Sequence, residues 1–120
     1  MARYDGVMQK ERTISGPIIS VACFRPKPRK AKELLKVVKD HLPVLRKQKL
    51  VTARKPIQGR AADGSIIEVF EWKSQKAISQ AHHNPEVLKL WERYSKCCSY
   101  IKFTDLAEAA SMFPGFEPVN

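Results

Sequence analysis

The run IISVACF, at residues 18–24, strongly limits the possible folds of this chain. It is short, rich in β-branched residues and almost continuously apolar, which is typical of a strand that is buried on both faces. A proline-rich break, RPKP, follows at residues 25–28, and after it apolar residues recur at helical spacing: Ala31, Leu34, Leu35, Val38, Leu42 and Leu45. This spacing predicts a helix of about 20 residues, kinked at Pro43 because proline removes a helical hydrogen bond.

Two strands joined by a tight turn are predicted next. The segment LVTARKPIQGR, at residues 50–60, is a more polar strand, and Pro56 within it favours an edge position. Asp63-Gly64 is a strong turn signal between strand-like runs. The next strand, SIIEVFEW at residues 65–72, should therefore return antiparallel to the one before it.

Two short helices and a last strand complete the pattern. Ser74 can cap a helix that continues to about Ala81, and Asn84-Pro85 supplies the cap and first-turn proline of another helix. One face of that second helix is predicted to contain Val87, Leu88, Trp91, Tyr94, Ser95 and Cys98. The segment YIKF, at residues 100–103, is predicted to be the last strand.

The order β-α-β-β-α-β predicts an α+β, ferredoxin-like domain at residues 17–104, between a flexible arm at 1–16 and a tail at 105–120. Such a domain has a four-stranded antiparallel sheet with the first and third strands in the centre and the helices on one face. The two central strands are apolar on both faces. We therefore expect a second copy of the chain to cover the other face of the sheet and form a homodimer.

The chain has a net charge of +10, and its basic residues are concentrated in one region. Residues 25–60 hold 13 of the 22 Lys and Arg side chains against Glu33 and Asp40, a regional charge of +11. This surface is either merely solvated or a weak, non-specific nucleic-acid site, because no Phe, Tyr or Trp lies within it to stack on a base. No apolar run suits a membrane helix, and three cysteines without a CxxC pair fit a reduced compartment. We expect a cytoplasmic protein.

The junction WKSQKA, at residues 72–77, follows a DG hairpin and is followed by HHNPEV at residues 82–87. This combination resembles the antibiotic biosynthesis monooxygenase-like branch of the dimeric α+β barrel proteins, over about residues 17–104. The resemblance implies a dimeric barrel that binds a small aromatic molecule, of phenol or quinol type, between sheet and helices and oxidises it without a cofactor. A non-catalytic small-molecule-binding or accessory homodimer is the alternative. The first strand lacks the Asn that haem-degrading members use, so haem is not implied.

The resemblance also implies which residues line the ligand cavity. Glu68 and His82 are the candidate catalytic groups. The candidate ligand-binding residues are Phe24, Phe70, Trp72, His83, Trp91 and Tyr94. The aromatic residues at these spacings are equally typical of core packing, because large apolar side chains are buried first.

Glu68 shares one face of its predicted strand with Phe70 and Trp72, and a carboxylate in such a position must be paired or lie in a pocket. It is either ion-paired to a basic neighbour or a general base that faces the ligand. The candidate basic neighbours are Arg54, Arg60 and Lys102. Glu71, three residues further on, points to the opposite face and cannot act with Glu68 as a carboxylate pair.

His82 and His83 lie just before the Asn84-Pro85 break. His82 and Glu86 would share a helical face suited to a metal only if the helix were continuous, so no metal site is predicted. Either one histidine forms a hydrogen bond at the helix end while the other is exposed, or one faces the cavity as a proton-transfer group.

Overall fold

The computed structural model describes residues 13–120, so most of the predicted arm, 1–16, lies outside the described residues. The helices and strands are β1 (Ile18–Pro26), α1 (Ala31–Lys47), β2 (Ile57–Arg60), β3 (Ile66–Trp72), α2 (Gln75–Ala81), α3 (Pro85–Cys97), β4 (Cys98–Ile101) and β5 (Glu117–Pro118). Two short 3-10 turns, Phe103–Asp105 and Ala107–Ala110, lie between β4 and β5. The predicted order β-α-β-β-α-β is confirmed, with its second helix divided into α2 and α3.

The strands form one antiparallel sheet in the order β4-β1-β3-β2-β5. β1 and β3 are central, as predicted, and pair from Ile18 opposite Trp72 to Phe24 opposite Ile66. β2 is not a free edge along its whole length, because β5 pairs with it at Gly59. Gly59 permits this approach: a Cβ built there would lie 2.9 Å from the Cβ of Phe116.

The second and last predicted strands differ most from their bounds in the structure. Residues 50–56 are not a strand apart from a single bridge between Val51 and Trp72, and β2 begins only after Pro56, which has no N–H to donate to a sheet. The last strand, Cys98–Ile101, begins two residues earlier than predicted, because the chain enters it directly from the end of α3.

The predicted turn and caps are present. Gly64 has a φ of 91°, as the turn between β2 and β3 requires. Ser74 Oγ accepts a hydrogen bond from the Ala77 N–H, and Asn84 Oδ1 accepts from the N–H groups of Glu86 and Val87. α1 runs on through Pro43 as one helix of 17 residues.

The helices cover one face of the sheet, and α1 also contacts α3. The buried residues of α3 are Val87, Leu90, Tyr94 and Cys97. The predicted face was wrong for Leu88, which is 47% exposed, and for Ser95, which is exposed. Val87, Leu90 and Tyr94 are three and four residues apart, so they lie on one face of the helix, whereas Leu88 lies beside that face and is exposed.

The other face of the sheet, called here the outer face, is covered only in part. Residues 105–120, expected to be a separate tail, pack over one end of it, where Leu106 and Phe116 contact Cys23 and Ile67. At the other end three apolar side chains are largely exposed: Ile19 (63%), Val21 (54%) and Ile57 (70%). The expectation that β1 is buried on both faces is therefore wrong for a single chain. Within residues 13–120, no helix has the length and apolar character needed to cross a membrane.

Candidate active site

A cavity of about 340 Å³ lies between the helices and the inner face of the sheet. It is lined by Ala22, Phe24, His41, Phe70, Trp72, His82, Trp91, Tyr94 and Tyr100. The wall is almost entirely apolar, and its volume is near the lower end of the roughly 300–1,000 Å³ that is typical of small-molecule sites. A one- or two-ring ligand suits this space.

His41 and Glu68 form a buried pair at this cavity. Nδ1 of His41 is 2.6 Å from Oε1 of Glu68, and the two residues are 4% and 0% exposed. Gln58 Nε2 donates to the other carboxylate oxygen, Oε2, at 2.7 Å, and also lies 3.4 Å from the carbonyl oxygen of Val38. Both oxygens of Glu68 are therefore occupied.

The fold brings these three residues together from three elements. Glu68 is central in β3 and lies directly opposite Gln58 of β2 in the sheet register. His41 lies on the buried face of α1, seven residues after Leu34 and four before Leu45, so the helix packs it against the sheet. The buried carboxylate is thus satisfied by one helix residue and one strand residue, as a carboxylate without water requires.

The carboxylate also sets the hydrogen-bonding state of the imidazole. An ionised carboxylate only accepts hydrogen bonds, so next to one, Nδ1 of a neutral His41 ring would be the donor and Nε2 would be left as an acceptor. Among the described residues, Nε2 has no hydrogen-bond partner, and His41 itself lines the cavity. The arrangement offers one proton acceptor to a ligand in an otherwise apolar space.

The sequence-based role for Glu68 needs correction. Glu68 does not line the cavity, and its connection to the cavity is the hydrogen bond with His41, which does line it. The proposed basic partners are also wrong: Arg54 Nε bonds Glu71 at 3.1 Å, and Arg60 bonds Glu117 at 3.0 Å. Glu71 lies on the opposite face from Glu68, as predicted, and hydrogen bonds from Thr52 and Arg54 lower its pKa.

Aromatic rings hold the remaining wall in place. Phe24 stacks on Tyr94 with ring centroids 4.5 Å apart, and His41 meets Phe70 and Tyr94 edge to face at 5.2 and 5.5 Å. Burial, together with the negative charge of Glu68, raises the pKa of Tyr94 well above its usual range. The phenol therefore stays protonated.

The two candidate histidines at the end of α2 differ in position. His82 lies at the mouth of the cavity, exposed on one side, with its ring 5.0 Å from that of Trp91 in an edge-to-face contact. His83 is exposed and does not line the cavity, so its assignment as a ligand-binding residue is not supported. The other five ligand-binding candidates all lie on the cavity wall: Phe24, Phe70, Trp72, Trp91 and Tyr94.

Sequence reasoning missed His41, Gln58 and Tyr100. The signal for His41 was present, because a histidine in register with Leu34, Val38 and Leu45 occupies the apolar face of an amphipathic helix. No comparable signal identifies Gln58, which lies in a strand too short and polar to show which side is buried. In residues 13–120, no group of three or more His, Cys, Asp or Glu side chains is arranged to hold a metal ion.

A second depression, of about 470 Å³, lies on the outer face, between β2, β3 and the C-terminal residues. Ile57, Val69 and Phe116 contribute to its wall, and Lys55 is its only ionisable side chain. It is larger than the inner cavity but contains no buried acid, base or nucleophile. The buried His41–Glu68 pair lies at the inner cavity and not at this depression.

Solved structures with a similar fold include the following two proteins. The first is SnoaB, a cofactor-independent oxygenase from Streptomyces nogalater, with a TM-score of 0.62 and 15% sequence identity over 72% of this chain and 88% of that one. The second is Rv0793 from Mycobacterium tuberculosis, with a TM-score of 0.56 and 17% identity over 76% of this chain and 98% of that one. The chain shares their fold.

This likeness confirms the predicted ferredoxin-like α+β fold, which is the fold that the family resemblance implied. No protein-family model matches the sequence, and no curated protein matches it either. The identities are too low for residue roles to be transferred. Any activity must therefore be argued from the side chains of this cavity.

Proposed function

We propose that the chain binds a small aromatic molecule with an ionisable hydroxyl group, of phenol or quinol type, in the inner cavity and oxidises it with O2 without a cofactor. The observation that carries this proposal is the His41–Glu68 pair, which offers a buried proton acceptor to an apolar, aromatic-walled space. The fold shared with a cofactor-independent oxygenase supports the same class of reaction.

Deprotonation is the step that the protein can promote. Nε2 of His41 accepts the hydroxyl proton, and Glu68 stabilises the imidazolium that forms. The ligand anion is electron-rich at the ring carbon para to its oxygen, and that carbon forms a C–O bond with O2. The peroxide group then takes up a proton and becomes a hydroperoxide. In a phenol whose para carbon carries a hydrogen, such as 1-naphthol, loss of that ring proton and cleavage of the O–O bond then release water and leave a quinone. One O2 is consumed and one water formed for each ring oxidised.

Binding without turnover is the second candidate function. It is favoured by the lack of a second buried base: His41 is the sole imidazole or carboxylate deep in the described cavity wall, because His82 is exposed at its mouth. A protein that only binds a phenol would need the same cavity and the same hydrogen bond. Oxygen consumption separates the two functions.

We also propose that the functional unit is a homodimer joined through the outer face. Support comes from the exposed apolar side chains of Ile19, Val21 and Ile57, which form a patch of the kind that is usually covered by a partner. The inner cavity lies on the other side of the sheet. Dimer formation would therefore leave its entrance, beside His82, accessible.

The proposed function is tested with 1-naphthol as ligand and substrate. The chain has two tryptophans, Trp72 and Trp91, and both line the cavity, so binding should quench the intrinsic fluorescence. An oxygenase should consume one O2 for each 1,4-naphthoquinone formed.

His41→Asn should keep a donor for Glu68 but remove Nε2, and we expect turnover to fall by roughly 100-fold or more, within the range of general base catalysis. His83→Asn is the matched control and should have no effect, because His83 is exposed. Binding without O2 uptake would favour the non-catalytic alternative, and no binding of 1-naphthol, 2-naphthol or 1,4-dihydroxynaphthalene would contradict both functions.

A further inference from the structure

Five basic side chains follow one another along the solvent-facing side of α1. They are all exposed and are called here the α1 stripe: Lys32, Lys36, Lys39, Arg46 and Lys47. At 3.6 residues per turn they fall within an arc of about 100° and extend over about 22 Å of the helix. The buried residues of α1, from Leu34 to Leu45, lie on the opposite side. The stripe therefore faces away from the core of the domain.

The acidic residues of α1 do not neutralise this stripe. The carboxylate of Glu33 lies 3.9 Å from Lys30 Nζ, which is outside the stripe. The carboxylate of Asp40 lies 2.9 Å from the guanidinium of Arg93, on α3. Among residues 13–120, no acidic side chain forms an ion pair with a stripe residue. The charge of the stripe is therefore available to an anion from outside the chain.

The stability of α1 does not account for the stripe. Like charges three or four residues apart on a helix repel, as Lys36 does with Lys32 and Lys39. Lys32 also lies in the first turn, where the positive end of the helix dipole disfavours a cation. Arg46 and Lys47 lie in the last turn and do suit the dipole, so the helix itself explains only these two.

A groove widens the stripe in its C-terminal half. It has a volume of about 310 Å³ and lies between α1 and the residues that lead into β2. Lys39 and Arg46 line it on the helix side and Lys55 lines it on the other, and no acidic side chain is among the described residues of its wall. A phosphate group that enters this groove would lie among three cationic side chains.

We infer that the α1 stripe and its groove bind the phosphate backbone of a nucleic-acid duplex without reading its sequence. A duplex carries about one negative charge per 1.7 Å of its axis, so about 22 Å of it offers more than enough phosphates for the stripe. Lysine predominates in the stripe and acts as a point charge, which suits phosphate contacts but does not specify a base. The stripe lies on the helical side of the sheet, so a dimer joined through the outer face would leave it accessible.

Two other polyanions fit the stripe less well. Single strands are commonly held by aromatic side chains that stack on the bases, and no Phe, Tyr or Trp lies between Phe24 and Phe70. Membrane surfaces are bound more firmly when apolar side chains enter them, and none of the large apolar side chains that the described residues expose is on α1. The duplex backbone is the partner that needs charge alone.

The test measures binding of a fluorescein-labelled DNA duplex of about 20 base pairs by fluorescence anisotropy, between about 50 and 200 mM NaCl. The stripe variant carries three substitutions: Lys32→Gln, Lys36→Gln and Lys39→Gln. The control variant carries the same change at three exposed lysines in or next to α2 and α3: Lys73→Gln, Lys76→Gln and Lys89→Gln. Both variants lose the same charge, so a difference between them reports where the charge lies. Thermal unfolding checks that both are folded.

For wild type, four to six phosphate contacts predict a slope of log K against log [NaCl] of about −3.5 to −5.5. The stripe variant should bind roughly 10-fold or more weakly at the lowest salt concentration, and its slope should be smaller by about 3, one for each lysine. The control variant should bind within about threefold of wild type, because exposed charges far from the duplex are screened. Two duplexes of unrelated sequence should bind wild type equally well.

The inference is wrong if wild type does not bind the duplex at the lowest salt concentration, if the two variants bind it equally, or if one sequence is strongly preferred. It is also wrong if vesicles of phosphatidylcholine and phosphatidylserine bind wild type and the duplex does not, because the partner is then a membrane. If the triple stripe variant does not fold, the three single variants replace it, and each should reduce the slope by about 1. The oxidation of 1-naphthol is measured separately and does not depend on any of these results.

Discussion

Nδ1 of His41, on a helix, lies 2.6 Å from Oε1 of Glu68, on a strand, although the two residues are 27 positions apart in sequence. Neither residue is more than 4% exposed, and Gln58 holds the second carboxylate oxygen. Buried hydrogen bonds of this kind fix the orientation of the side chains that make them. The acceptor nitrogen of His41 is thereby held toward the cavity before any ligand enters.

Glu68→Gln should release His41 from its fixed hydrogen-bonding state. An amide can donate as well as accept, so Nδ1 would no longer be the obligatory protonated nitrogen. In wild type, ¹⁵N NMR of the histidine side chains should show the proton on Nδ1 and a bare Nε2. In the variant we expect a mixture, and a loss of roughly 10- to 100-fold in 1-naphthol turnover, as expected for a charged hydrogen bond.

The matched control for this change is Glu71→Gln, the same substitution on the same strand. Glu71 lies on the outer face, where it bonds Thr52 and Arg54, so turnover and the His41 spectrum should not change. Equal effects of the two substitutions would contradict a positioning role for Glu68.

Most of the fold could be predicted from sequence because its signals are local. The Asp63-Gly64 turn, the Ser74 cap and the Asn84-Pro85 helix start depend on residues only a few positions apart, and all three are present. The strand order followed from the pattern of elements. The buried face of α3 was harder to predict, because Leu88 and Leu90 are both apolar and tertiary packing decides that Leu90 is the buried one.

The candidate site was less predictable because its contacts are long-range. The place of Glu68 between apolar strand residues showed that its carboxylate needs a partner. It did not show which one: the observed partners, His41 and Gln58, come from two other elements, and a basic residue on a neighbouring strand was an equally good candidate. The covering of the outer face by residues 105–120 was also not predicted. It depends on Gly59 admitting the chain near Phe116, a close approach that no pattern reveals.

The aromatic wall should also stabilise the protein, in proportion to burial. Phe24 is 2% exposed, and Phe24→Ala should lower the free energy of unfolding by about 3–5 kcal/mol. Trp91 is only half-buried, so Trp91→Ala should lower the free energy of unfolding by less than this. Leu88→Ala, on the exposed side of α3, should cost less than about 1 kcal/mol. Urea unfolding measures the loss of unfolding free energy in each of the three variants. An equal loss for Leu88→Ala and Phe24→Ala would contradict the structure.

Dimerisation through the outer face predicts a particle of about twice the chain mass of 13.7 kDa in sedimentation at micromolar concentration. Val21→Lys, in the exposed apolar patch, should shift it to monomer because a lysine there cannot be desolvated. Leu88→Lys is the control, since Leu88 is exposed on the helical side. Both variants should keep the wild-type circular dichroism spectrum. A monomeric wild type, or a Val21→Lys dimer, would rule this interface out.

Alkaline pH should destabilise the protein through its buried thiols. Burial raises the pKa of Cys98 from 9.0 to about 12, so the folded protein keeps this proton when the unfolded chain has lost it. The free energy of unfolding should therefore fall between about pH 9 and pH 12, with a slope of up to about 1.4 kcal/mol per pH unit from this one group. Cys98→Ala removes this thiol and should make the fall of the free energy of unfolding with pH less steep. Part of the fall should persist, because burial also raises the pKa values of Cys23 and Cys97. Urea unfolding at pH 7, 9 and 10 measures both slopes, and identical slopes would show that Cys98 does not couple protonation to folding.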